Sequence, residues 1–356
     1  MGVSLTRNYN SLLTHAQDNI YKSGMFEDLY FKQIVTFARL KDAKRVYSDD
    51  GGAKISGAIN FGSNETHGSY RGYEEFDTTP QDTQTRFFYD RAQYAATVSI
   101  SGIEEHIAGG PNAIGDLLAD KIEVTAQTHS TEMNQHIFDP TSLGDTSSGN
   151  GGRNIMSLPA LINYDPDYGT DTVGGIDASA TTGAGLYWRP QVLDFGATAN
   201  TDVLEAKLRN LTNTCWANGG KTDTIITDQT TFENYEAGLS KMIRYTDADS
   251  TKASSGFMGI KFKGAEMYWD PYACDPEAGE AWDNPPTAGV AYLLDSTALK
   301  LVQAKGKDFA PTPFETTASQ DARVAAWLWY GQLIATNRRR NGVLYGITKS
   351  LTITGA

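Results

Sequence analysis

PNAIGDLLADKIEVTAQTHSTEMNQHIF, residues 111–138, is the longest run of helical periodicity in the chain. Ile114, Leu118, Ile122, Ala126, His129, Met133 and Ile137 recur at intervals of four, four, four, three, four and four, which is one face of a helix. Asp116, Asp120, Glu123, Gln127 and Gln135 fall on the other side. Pro111 suits the first turn, where its missing N–H is no loss, and Asp139-Pro140 stops the helix. A helix of that length spans roughly 42 Å, about twice a typical globular helix. Such a spine needs a sheet or neighbouring protein along its whole length.

Two β-rich runs precede the spine, Lys54 to Phe61 and Arg86 to Ile100, separated by a polar loop from Gly62 to Asp82. They predict a hairpin over residues 51–101 that projects from the body, with too few apolar residues at its tip to bury. As one strand, the second run would reach roughly 45–50 Å. Further out, residues 1–25 are polar with scattered Leu12, Leu13 and Ile20, and they read as an arm that folds against something else. Asp49-Asp50-Gly51-Gly52 is a turn signal.

After the spine, residues 141–153 and 165–185 are Gly-rich loops around a short apolar element, Ile155 to Ile162. Thr201 to Cys215 predicts a helix with Leu204, Leu208 and Leu211 inward and Asp202 as its cap. Thr222 to Thr227 predicts a buried strand, and Asp228 caps a helix from Gln229 to Arg244. Phe257–Phe262 and Ala265–Trp269 flank Lys263-Gly264 as a hairpin. Val290–Leu294 and Val343–Ile347 are short strands. Val324–Ala335 is a longer one with apolar residues on both faces, as for a strand covered on two sides. No repeat and no regular βαβ alternation occurs, so the fold class is α+β with an antiparallel bias.

Composition narrows function. The chain has 356 residues, 40% hydrophobic and 21% charged, which is ordinary for a globular protein. A net charge of −13 leaves no basic surplus to neutralise phosphates. Cys215 and Cys274 make no ligand spacing and suit a reducing cytosol. No apolar stretch has the length of a signal peptide or a membrane span. Met1-Gly2-Val3-Ser4-Leu5-Thr6 fits the loose myristoylation pattern, which nothing else in the chain supports.

The chemical motifs fall away one by one. Gly219-Gly220-Lys221-Thr222 imitates the tail of a phosphate loop, but Cys215 stands where glycine is needed and a strand follows instead of preceding. His129 and His136 are seven apart around Glu132, not four, so both imidazoles cannot face one ion as in metalloproteases. Asp165/Asp167 and Asp247/Asp249 lack the glycine and terminal glutamate of a calcium loop. There is no GxSxG elbow. With five histidines and two cysteines, no catalytic, cofactor or metal residues are assigned, and no enzymatic activity is expected.

In its order of elements the chain resembles tailed-bacteriophage major capsid proteins of the Hong Kong 97 fold. The matching order is an arm, a long extended loop (Lys54–Ile100), the spine, a domain of strands and helices, then a long strand, an Arg turn and a short strand. Gly68-Ser69-Tyr70 with Asp77-Thr78-Thr79-Pro80, Gly149-Asn150-Gly151-Gly152, Thr172-Val173-Gly174-Gly175-Ile176 and Tyr187-Trp188-Arg189-Pro190 are similar to segments of one branch of the family. The resemblance implies five parts: residues 1–50 the arm and the lead-in to a peripheral domain, 51–101 the extended loop, 102–184 the peripheral domain with the spine, 185–315 an axial domain, and 316–356 strands returning to the peripheral domain. It further implies hexamers and pentamers of an icosahedral head that encloses double-stranded DNA without reading its sequence. A portal, and separate scaffolding or decoration proteins, are implied partners. The chain would be found in the virion, assembled in the host cytoplasm. Tyr70, Arg71, Arg86, Arg338, Arg339 and Arg340 are the candidate interface residues. No coiled-coil leader precedes the arm and no self-crosslinking Lys/Asn/Glu set is apparent. Encapsulin nanocompartment shells are relatives of the same fold and the alternative reading; a soluble α+β enzyme is the third.

Overall fold

The computed structural model describes residues 36–41, 46–108, 117–139, 154–164, 172–196, 200–240, 260–273, 288–316, 320–349 and 351. The arm at 1–25, the first turn of the spine, the loops at 141–153 and 165–171, Asp247/Asp249 and Cys274 lie outside them. Helix α1 (Thr36–Leu40) leads into strands β1 (Val46–Asp49), β2 (Ile55–Asn60), β3 (Gln84–Tyr89) and β4 (Ala92–Ser101). Helices α2 (Gly102–Ala108), α3 (Leu117–Ile137) and α4 (Leu158–Leu161) follow, then β5 (Thr172–Val173), β6 (Ile176–Asp177), α5 (Ala184–Tyr187) and β7 (Gln191–Asp194). Next come α6 (Thr201–Ala217), β8 (Thr224–Thr227), α7 (Gln229–Ser240), β9 (Ile260–Phe262) and β10 (Ala265–Trp269). The chain finishes with β11 (Ala288–Leu294), β12 (Leu299–Ala304), β13 (Ala310–Pro311), β14 (Glu315–Thr316), β15 (Ala322–Ala335) and β16 (Gly342–Thr348).

Two compact units share these elements. The first takes in Tyr94–Glu132 and Gly306–Trp329; the second takes in Gln33–Gln93, Met133–Lys305 and Tyr330–Ala356. In the first unit, β13 and β14 pair antiparallel with the opening half of β15, Ala310 opposite Leu328 and Glu315 opposite Val324. His129 of α3 is buried there between Tyr94 and Phe309, with ring centroids 6.0 and 5.0 Å away. Tyr94 in turn meets Trp329 of β15 at 5.8 Å. Burial pushes the His129 pKa down, because the charged imidazolium would lose its water. The side chains of Leu118 and Ile122 are outside the described set.

In the second unit, a six-stranded sheet runs β7-β16-β11-β8-β10-β9. Its core joins Leu204, Leu208, Leu211 and Cys215 of α6 to Ile225 of β8, Met267 of β10, Leu293 of β11 and Leu344 of β16. The spacing of four, three and four along α6 places all four of its residues on one side. Asn200, not Asp202, caps this helix: its side chain accepts from Val203 N at 2.7 Å. Asp202 sits one residue inside the helix, where its charge favours the N-terminal dipole without closing an end. Asp228 does cap α7, its Oδ2 accepting from Thr231 N at 3.2 Å. Lys263 and Gly264 both take positive φ, 48° and 88°, which closes the β9–β10 hairpin in a two-residue turn.

Three further readings are corrected. The run from Arg86 to Ile100 is two strands, broken at Asp90–Arg91. There the Arg91 guanidinium turns aside to Asp49 and to the carbonyl of Gly52, and Asp90 O accepts from Gln332 Nε2 at 2.9 Å. The last strand, β16, does not rejoin the sheet of β15. It lies between β7, parallel to it, and β11, antiparallel to it, so residues 342–348 complete the α6-bearing sheet. Finally, β15 is continuously buried only over Gly331–Ala335, and its earlier part is mostly half-buried. Leu299 and β12, which the sequence reading left out, cover that last part: Leu299 stands opposite Ala335, and β1 adds in parallel beyond β12.

One buried acid ties distant segments of the second unit. Asp270 accepts from Thr36 N (3.0 Å) and Thr36 Oγ1 (2.7 Å), from Asn134 Nδ2 (3.0 Å) and from Tyr272 N (3.0 Å). Asn134 Oδ1 accepts from Phe37 N at 2.9 Å. The start of α1, the end of α3 and the end of β10 thus share one carboxylate that is 1% exposed.

Candidate assembly surfaces

The hairpin β2–β3 has a fixed root and a bare tip. Ile55 stands opposite Tyr89 and Asn60 opposite Gln84, all antiparallel. At the root, Phe87 stacks on Trp188 with centroids 6.0 Å apart, and Trp188 Nε1 donates to Val173 O at 2.9 Å. Tyr89 is fully buried, and its hydroxyl donates to Ala335 O at 3.2 Å. Gly57 admits the Phe87 ring so closely that a Cβ there would come within 2.4 Å of it. Behind the root, Gly174 and Gly175 turn β5 into β6 at φ 63° and 77°, and Gly174 O accepts from Phe88 N at 2.9 Å. Arg189 Nε then clamps Ala178 O at 2.8 Å, with Nη2 reaching Ser179 O and Ala180 O.

Beyond Asn60 the character changes. Residues 61–83 are exposed almost throughout, including three large rings. Tyr70 is 64% exposed, Phe76 68%, and Tyr73 wholly. Tyr70 and Phe76 touch only edge-on, at 4.9 Å. The loop is shaped by local turns instead of a core: Asn64 Oδ1 accepts from Thr66 N and Oγ1, and Asp77 Oδ1 from Thr79 N and Oγ1. Those two Thr79 bonds hold the Asp77 carboxyl below its usual pKa. The exposed rings make this loop the candidate contact surface.

The candidate interface residues separate into two places. Tyr70 and Arg71 are on this loop, with Arg71 N donating to Glu74 Oε2 at 2.9 Å, and Arg86 is exposed on β3 opposite Ala58. Arg338–Arg340 form a 3₁₀ turn between β15 and β16, begun by Asn337, whose side chain accepts from Arg339 N. Arg338 is withdrawn from the candidates, because it is fully buried and its Nε donates to Leu161 O at 2.7 Å. Arg339 and Arg340 remain half-buried; Arg339 lies over the Tyr187 ring at 5.4 Å. Tyr73 and Phe76 are exposed rings that the sequence reading did not single out, and the available signal was aromatic residues in polar surroundings.

The residues weighed for chemistry are dispersed. Among the described residues no group of three or more His, Cys, Asp or Glu is placed to hold a metal ion. His129 is buried while Glu132 is exposed. Gly219 and Gly220 end α6 and face Arg340. Cys215 is buried, and its thiol is pushed up to about 12 by burial and by the nearby Asp295, which keeps it unreactive. No helix among the described residues is long and apolar enough to cross a membrane.

No family model and no curated protein matches the sequence. Solved structures do match, nearly end to end. The capsid subunit of cyanophage A-1(L) superposes with a TM-score of 0.63 at 13% identity, covering 92% of this chain and 96% of its own. The fold is the one phage capsid subunits share. The capsid of Myoviridae phage XM1 gives 0.51 at 12% identity, over 97% of this chain and 99% of that one. The SrpI encapsulin of Synechococcus elongatus gives 0.55 at 8% identity, over 96% and 98%. At these identities the capsid likeness is one of fold.

Proposed function

We propose that this chain is the major capsid protein of a tailed phage, a structural subunit that closes into an icosahedral shell around double-stranded DNA. The observation that carries the reading is the capsid fold across more than nine-tenths of the chain. The hairpin loop agrees with it. A monomer would leave Tyr70, Tyr73 and Phe76 in water permanently, whereas symmetric copies supply a partner for every loop. The net charge of −13 keeps a shell wall from adhering to the polyanion it encloses. In this reading residues 51–101 are the extended loop, the α3 region the peripheral domain, and the α6-bearing sheet the axial domain. Hexamers and pentamers are the assembly units, with a portal and separate scaffolding or decoration proteins as partners, and the subunit does no catalysis.

The encapsulin match supports a second reading, a nanocompartment shell that holds protein cargo. The contents of the particle separate the two. Particles captured from the source cells should hold nuclease-protected double-stranded DNA. Particles filled with protein and free of DNA would overturn the phage reading in favour of the compartment.

A further inference from the structure

His129 is 5% exposed on α3, and its Nε2 has no hydrogen-bond partner among the described residues. Rings stand around it instead: Tyr94 of β4 at 6.0 Å and Phe309 at 5.0 Å, both edge-on. Trp329 is the next ring along, 5.8 Å from Tyr94. Its buried Nε1 is a donor, so it cannot bond a protonated imidazole. His129 is in no ion pair among the described residues. Tyr94 is the only titratable residue of β4. Lys307 and Asp308 precede Phe309, and Asp308 is exposed. On β15, Tyr330 alternates away from Trp329, and Arg323 is exposed opposite Thr316. Glu132, one turn on along α3, is exposed too. Burial alone holds the imidazole below its usual 6.5.

The walls of this pocket differ in strength. β4 is ten residues long and pairs with β15. Phe309 is half-buried and sits at φ 49°, in the left-handed region that a bulky side chain rarely adopts. Gly306, at φ 73°, opens the same turn, and a Cβ there would meet nothing within 4 Å, so the turn has room to move. Beyond it β13 is two residues long, the second a proline with no N–H to donate. Thr312 N then donates to Ala326 O at 2.8 Å. Ring packing on His129 thus favours a Phe309 conformation that its own backbone disfavours. We propose that the turn at 306–309 is an acid-sensitive lid: a neutral His129 keeps Phe309 closed against α3, and a protonated one releases it. A charged imidazole without a counter-ion draws in water, and the Phe309 side is the wall that yields first. Stability from this contact is fully present above pH 6.5 and is lost as pH falls through the depressed folded value. The lid belongs to the single chain, so it stands or falls apart from the shell reading.

Hydrogen exchange of the full chain, read by mass spectrometry and corrected for the intrinsic effect of pH, tests it. From about pH 7.5 to about pH 5.5, exchange in residues 306–312 should quicken about fivefold to tenfold, while β8 and β11 keep their rates. His129→Gln, neutral throughout, should remove that response. Asp308→Asn and Glu132→Gln should leave it in place. Phe309→Gly removes the ring and relieves the left-handed residue while keeping His129, and it carries the test if His129→Gln does not fold. It should exchange at the higher pH at least as fast as wild type does at the lower, with no further response. A flat wild-type profile overturns the lid, as does a response that survives in His129→Gln or Phe309→Gly or disappears with Asp308→Asn or Glu132→Gln. So does a rise that β8 and β11 share, or one that begins only below about pH 4.5, where carboxylates titrate.

Discussion

The α6-bearing sheet and the loop at 61–83 lie in the same unit and are built on opposite terms. In the sheet, all four residues of β8 are buried and Leu204, Leu208, Ile225, Met267, Leu293 and Leu344 are without exposed surface. In the loop almost nothing is buried, and its shape comes from side chains bonding their own backbone two residues on. The sheet carries its stability inside one chain. On the proposed shell reading, the loop's rings would meet another copy. On the shell reading, stability and assembly belong to separate parts of this molecule, so mutations should separate them.

The largest effect belongs to the sheet. Leu208→Ala should lower unfolding free energy by about 2–5 kcal/mol, the cost of a cavity in a packed core, and abolish particles by unfolding the subunit. A denaturant titration showing a loss below about 1 kcal/mol would mean that this core is looser than described. Asp270→Ala comes next. It strips four donors on Thr36, Asn134 and Tyr272 of their buried acceptor, and about 1.5–3 kcal/mol is the expected loss. Assembly should then fall along with the melting temperature.

The third contrast is one of sign. Burial raises the Asp228 pKa, and the N–H groups of Thr231 and Val290 only partly oppose it. A carboxyl whose folded pKa lies above the unfolded value contributes stability that is fully present below the unfolded pKa, near 3.8. That contribution is lost as pH rises through the folded value. The melting-temperature difference between wild type and Asp228→Asn should therefore shift in favour of wild type as pH falls. A shift in the other direction would mean that the capping bonds outweigh desolvation. The smallest effect on stability belongs to the loop. Tyr73→Ala with Phe76→Ala should stay within about 0.5 kcal/mol of wild type, as surface changes do, and still reduce particle yield. Unchanged yield would break the comparison.

The sheet was the legible part. The period of Leu204, Leu208 and Leu211, the Lys263-Gly264 turn and the apolar runs at β8 and β11 each state their structure locally. What the sequence hid was long-range. Nothing in Val343–Ile347 says that it will pair with Gln191–Asp194 and Ala288–Leu294 instead of following β15. Nor does the aromatic run from Arg86 onward announce that Arg91 will break it to reach Asp49. Capping was ambiguous by two residues because Asn200 and Asp202 are both good caps, and the backbone at Asn200 is the extended one. Of the candidate interface, exposure of Tyr70, Arg71 and Arg86 follows from polar surroundings. Arg338 looked like its two neighbours, and its full burial with Nε on the carbonyl of Leu161 distinguishes it.

The central claim, that this chain is a shell subunit, is tested most directly by weighing it. Mass photometry of the purified wild-type chain, with negative-stain microscopy of the same sample, should show closed particles or capsomer rings of many copies. A single population at the 38.7 kDa of one chain, at every concentration and ionic strength, would contradict it.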